Sequence, residues 1–335
     1  RGFDLVWLSD ITPDEVNVHN RLPEPVYYQT VAALLADPDE VISAYDYDIR
    51  PPTDDRPFFF HYFRWQQTPA IIAGLGKTWQ PFGGSGYLVL VALLALVTSL
   101  AAILIIGPLV VGHVGRPPSL SPPSAHKEEE RDTHPPRRSI AADRDPAWLR
   151  VRVLVYFSML GLGFLLIELP LAQRFILFVG EPVIALAVVL FAILLFSGLG
   201  SLTAPHWRLP VALGALIGAA VIYPFLLSGV FRLALGWPLA IRLMISLFSL
   251  APLGVLMGVP FARGLALIEA RAPGLIPWAW AINGSASVIS AVLAVMIALS
   301  WGFSAVLWVG AGAYAVALAS VVGIAIPATR TVHAA

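Results

Sequence analysis

The chain has 335 residues, of which 58% are hydrophobic and only 13% charged, and its mean hydropathy is +0.77. Soluble globular proteins carry about 25% charged residues, so much of this surface does not face water. A formal net charge of zero gives no bulk attraction to nucleic acid. The absence of cysteine excludes disulfides, iron–sulfur clusters, thiolate zinc sites and covalent c-type haem attachment.

Residues 1–80 read as a short, mixed, soluble segment. Phe3 to Leu8 is patterned as a buried strand, Leu22-Pro23-Glu24-Pro25 as a turn, and Val26 to Leu35 as a helix ended by Asp37-Pro38-Asp39. Arg50 to Pro57 is rich in turn formers and charge, and the aromatic run Phe58 to Trp65 follows it. The segment has few strands of its own. With Arg1 at its start and no signal-peptide pattern, it is expected to be the end of a domain that begins further upstream.

Seven apolar segments follow, placed at 87–111, 151–171, 183–204, 209–230, 239–260, 277–300 and 304–327. Each is about 20 residues or longer, enough to cross a hydrocarbon core of ~30 Å at ~1.5 Å per residue. Backbone polar groups in lipid must bond internally, so the segments are predicted to be helices. Trp79, Trp148, Trp207, Trp237, Trp278, Trp280 and Trp301 fall near the predicted ends, as an interfacial belt requires. The fold class is an all-α polytopic membrane protein with about seven transmembrane helices behind the soluble segment. The first helix and its lead-in occupy 81–111, a six-helix bundle 151–327, and a tail 328–335. Between the first two helices, 112–150 carries Pro117-Pro118, Pro122-Pro123, Pro135-Pro136 and the charge run Lys127 to Asp132. That composition reads as a disordered loop.

The loop 112–150, the turn near Arg208, the loop 261–276 and the C-terminus hold most of the arginine and lysine near the helices. The excess of cationic residues puts that side in the cytoplasm. The soluble segment then faces away from it, and the expected location is a bacterial inner membrane.

Few groups in the membrane segments can do chemistry. Glu168, placed in the last turn of the second helix, and Arg242, in the first turn of the fifth, are expected at similar depth. They are the candidate intramembrane ion pair, since charges in lipid pair or face water; the alternative is that Arg242 snorkels to the interface. Arg174, Glu181 and Arg232 are read as loop charges near the same surface. Asn283, Ser285 and Ser287 form a polar stretch two turns into the sixth helix. It suits close helix packing with interhelical hydrogen bonds, or bonding to a substrate or quinone head group. Gly214 with Gly218, and Gly254 with Gly258, have small-residue spacing of the same kind. Asp54-Asp55 beside Arg56 and Pro57 reads as a turn or local salt bridge rather than a catalytic pair. Gly83-Gly84-Ser85-Gly86 reads as a hinge, because no strand precedes it and no P-loop lysine follows. None of the seven histidines lies mid-helix to ligate haem. No catalytic, cofactor-binding or metal-binding residue is therefore assigned.

Thr53-Asp54-Asp55-Arg56-Pro57-Phe58-Phe59-Phe60-His61, the earlier Asn20-Arg21-Leu22-Pro23-Glu24-Pro25, and Pro277-Trp278-Ala279-Trp280-Ala281-Ile282-Asn283-Gly284 resemble bacterial membrane-bound spermidine-synthase-like proteins. The resemblance implies the end of a Rossmann-like, S-adenosylmethionine-type domain fused to membrane helices. The glycine loop and ribose-binding acid of such a domain have no counterpart here, so no binding residue carries over. The expected function is a non-catalytic membrane subunit, an anchor or accessory in contact with lipid and other membrane subunits. Its host would be a larger assembly such as a respiratory or photosynthetic electron-transfer complex. Two alternatives stand beside it: the membrane half of an aminopropyl- or methyl-transferase, and a small-molecule transporter, for which Pro252 and Pro260 are the hints of broken helices.

Overall fold

The computed structural model describes residues 12–13, 23–74, 86–107 and 147–325. The expected strand at 3–8, the glycine hinge at 83–85, most of the proline-rich loop and the tail 328–335 lie outside them. Among the described residues there is no strand, and seven helices are long and apolar enough to cross a membrane. The all-α polytopic fold is therefore the observed one. The chain divides into two units: residues 1–53 with 57–89, and residues 54–56 with 90–335.

In the first unit, α1 (Val26–Ala36) and α2 (Pro38–Ala44) meet at Asp37. Asp37 ends α1 and also caps α2, its carboxylate accepting the Glu40 N–H at 3.0 Å. Pro38 suits the first position of a helix, where a missing N–H costs nothing. The Arg64 guanidinium closes the other end of α2, donating to the carbonyls of Ile42 (2.5 Å) and Ser43 (3.0 Å). Asp48 is buried and accepts two hydrogen bonds from the Arg50 guanidinium at 2.7 and 2.8 Å. That carboxylate holds the Arg50 pKa above its already high ordinary value. A short helix, α3 (Thr68–Gly74), follows.

The second unit contains most of α4 (Gly86–Ala101) and its π-helical continuation Ala102–Ile106. It also holds α5 (Ala147–Val179), α6 (Pro182–Thr203), α7 (Leu209–Ala234), α8 (Leu239–Arg271), α9 (Ile276–Trp301) and α10 (Phe303–Ala325). Helix α5 is central and packs against α6, α8, α9 and α10, while α8 also lies along α6 and α7.

Two helices are longer than the sequence suggests: α5 and α8 each run 33 residues. Pro170 and Pro260, near which the predicted segments stop, lie inside them. Proline removes one intrahelical hydrogen bond and clashes with the preceding turn, but neighbouring helices can satisfy the freed groups in a membrane. At Pro260 the neighbour makes its own use of the site: Tyr156 Oη donates to the Pro260 carbonyl at 2.7 Å.

Lipid supplies no hydrophobic drive for one helix to join another, so close backbone approach and polar bonds decide the packing. At the α6–α8 crossing, a Cβ on Gly258 would collide with the Ser197 carbonyl, and one on Gly200 with that of Val255. One on Gly254 would lie 2.8 Å from Phe196 Cβ. The identically spaced Gly214 and Gly218 meet nothing within 4 Å.

Candidate functional site

Polar groups converge where α9 turns into α10. Helix α9 ends at Trp301, and Gly302 bridges to Phe303 with φ +89°. Only glycine takes that backbone conformation without strain, and a Cβ there would also sit 2.5 Å from Asp55 Oδ2. A hairpin this tight leaves free N–H groups at the start of α10 and free carbonyls at the end of α9. Gly302 has no side chain to cap either.

Asp55 and Arg56, far away in sequence, supply both caps. The Phe303 N–H donates to the Asp55 carbonyl at 2.8 Å, and the Ser304 N–H to Asp55 Oδ1 at 3.0 Å. Arg56 Nε donates to the Leu299 carbonyl at 2.8 Å. The acid thus meets the positive end of one helix dipole and the base the negative end of the other. This is why residues 54–56 belong to the helix bundle while the chain on either side belongs to the first unit.

Arg174, on α5, locks the acid in place. Its Nη2 donates to Asp55 Oδ1 and, at 2.6 Å, to Ser304 Oγ, which in turn donates to Asp55 Oδ1 at 2.8 Å. Its Nη1 reaches the Pro224 carbonyl on α7 at 3.2 Å, and its Nε is buried without a partner. The Arg174 side chain is 8% exposed and that of Asp55 37%. One carboxylate oxygen therefore takes three donors while its charge offsets a buried guanidinium. The arrangement fixes the position of the acid.

The sequence places these charges differently. Arg174 is not a loop charge; it is buried one turn inside α5, because that helix continues through Pro170 to Val179. Asp54-Asp55 does form a turn, but the ion pair of Asp55 is long-range, spanning 119 positions to Arg174. A signal was present in retrospect, since no helix breaker follows Pro170 until Gly180.

Glu168 and Arg242 do not form the expected ion pair. Arg242 Nη1 donates instead to the Phe178 carbonyl at 2.8 Å. It thereby caps the end of α5 beside Gly180, whose φ of +81° ends that helix. Glu168 is buried at 8% exposure on α5. The Tyr314 ring lies over Gly163. Glu181 stands at the start of α6 without capping it, and Arg232 bonds the Ser228 carbonyl of its own helix at 3.1 Å.

Asn283 and Ser287 face α5. Asn283 Nδ2 donates to the Phe157 carbonyl at 3.1 Å, and Ser287 Oγ to Gly161 at 3.2 Å. Ser290, one turn further, donates to Leu162 at 2.7 Å. Ser285 is half-buried and contributes none of these bonds. A Cβ at Gly161 would collide with the Asn283 carbonyl. The polar residues and the glycine thus form one seam between α5 and α9. Among the described residues, no three His, Asp or Glu side chains converge to hold a metal.

No family model, no curated protein and no solved structure matches this chain.

Proposed function

We propose that this protein is a non-catalytic integral membrane subunit, an anchor or accessory of a larger membrane assembly. The observation that carries the reading is the double cap at the α9–α10 hairpin: Asp55 and Arg56 build the chain between the flanking stretches of the first unit into the helix bundle. Within the bundle's own unit these two residues act as helix caps, a structural use of charged side chains that fits an anchor better than a catalyst. The polar side chains of the α5–α9 seam support the same reading, since they bond the carbonyls of neighbouring helices. A respiratory or photosynthetic electron-transfer complex is the kind of host such a subunit suits. The excess of cationic residues favours a bacterial inner membrane with 112–150 and the C-terminus in the cytoplasm.

Native mass spectrometry of membranes extracted in mild detergent tests this. The expected result is a complex of defined mass containing other subunits; a chain that is always released alone overturns it.

A second reading is the membrane half of an S-adenosylmethionine-type aminopropyl- or methyl-transferase. It is favoured by the position of the capping residues inside Thr53 to His61, the stretch that resembles spermidine-synthase-like proteins. It predicts calorimetric binding of S-adenosylmethionine or its decarboxylated form by the full-length protein, and absence of binding removes it.

A further inference from the structure

The aromatic run after Pro57 has an unusual placement in the first unit. The His61 N–H donates to the Phe58 carbonyl at 3.3 Å, closing a tight turn with Phe59 and Phe60 at its tip. Central turn positions favour Gly, Pro, Asn, Asp and Ser, which supply the required backbone angles or bond their own backbone. Here two phenylalanines occupy them, and they are 69% and 90% exposed. Tyr62 and Trp65 beside them are 45% and 59% exposed. Left in water, so much apolar surface at one tip would be unfavourable.

The same unit says what covers the tip. Tyr87, in the first turn of the membrane-crossing helix α4, is buried among aromatic rings from this run. The Phe63 ring stacks on it with centroids 5.1 Å apart, Trp65 meets it edge-on at 5.4 Å, and His61 lies at 5.6 Å. The start of a transmembrane helix lies at the membrane–water boundary, where aromatic side chains collect. His61 touches that level, and Phe60 is its immediate neighbour in the chain.

We infer that the Phe59–Phe60 turn is a lipid-docking tip, seated in the headgroup–acyl boundary of the bilayer that α4 enters. The occupant is lipid. The tip needs to descend only ~5–10 Å, the depth at which interfacial apolar groups rest, and the rigid aromatic packing around Tyr87 fixes its height.

The absence of cysteine makes the test clean, because a single introduced thiol is the only labelling site. Phe60→Cys, carrying an environment-sensitive fluorophore, is reconstituted in nanodiscs and compared with Asp39→Cys on the exposed surface of α2. The expected result is a blue-shifted emission from position 60, quenched by lipids with a nitroxide high on the acyl chain and little affected by aqueous iodide. Position 39 should show the reverse. Equal iodide quenching at both positions overturns the inference. So does a position-60 label shielded from both iodide and nitroxide lipid, which would mean that protein covers the tip. As a label-free check, the amides of 58–61 should exchange with deuterium more slowly in nanodiscs than those of Phe59→Ser/Phe60→Ser, with helical content equal in the two proteins. Equal exchange counts against lipid docking.

Discussion

Helices α4 and α5 both have the length and composition to cross a membrane, yet the bundle treats them oppositely. Helix α4 is the more apolar of the two, yet almost none of its apolar stretch is buried, whereas more than half of that of α5 is. Helix α5 carries Gly161, Gly163, Glu168 and Arg174, and it is the hub. Helix α4 meets α9 near its π-helical end. Hydropathy determines that a segment enters lipid. Whether it then packs depends on missing side chains and on polar groups that find partners, because lipid tails solvate leucine as well as another helix does.

The largest effect is expected at a glycine crossing. Gly258→Leu forces a side chain into the backbone of α6 and is expected to cost more than ~3 kcal/mol, seen as loss of the cooperative unfolding transition in mixed detergent followed by circular dichroism. Gly214→Leu, which meets open space, should unfold like the parent. Equal loss in both would mean that glycine content, not position, sets the packing.

The Asp55 cap comes next. Asp55→Asn leaves Arg174 buried without its counter-charge, a loss of ~3–5 kcal/mol for a fully buried pair. With Asp55 37% exposed, solvent screening reduces the expected cost to ~2 kcal/mol. Adding Arg174→Leu should recover part of it, since the orphaned charge is then gone. No recovery would show that the caps on α10, not the ion pair, carry the stability.

A smaller effect is expected at the α5–α9 seam. Ser290→Ala should cost ~0.6 kcal/mol, the average for an interhelical hydrogen bond in a membrane, measured in the same unfolding assay. Smallest of all is Leu96→Ala on α4. The side chain is 57% exposed, so its removal should change stability by less than ~0.5 kcal/mol. A larger loss would mean that α4 packs against the bundle after all.

The seven membrane-crossing helices among the described residues are legible in the composition alone, because runs of apolar residues long enough to cross lipid have no other stable conformation there. The sequence also located most helix boundaries within a few residues. It misplaced the ends of α5 and α8 at Pro170 and Pro260, since proline breaks helices in water but a packed neighbour tolerates it in a membrane. The sequence marks Glu168, Arg242, Asn283, Ser285 and Ser287 as the residues to watch and reads Asp54-Asp55 as a turn or local salt bridge, yet it pairs the charges by expected depth. Depth is one coordinate, and contact needs the rotation of each helix as well, which follows from which glycines let two backbones meet. Those rotations are set by the packed bundle, where Asp55 joins Arg174, Arg242 caps α5, and of two identically spaced glycine pairs just one lies at a crossing.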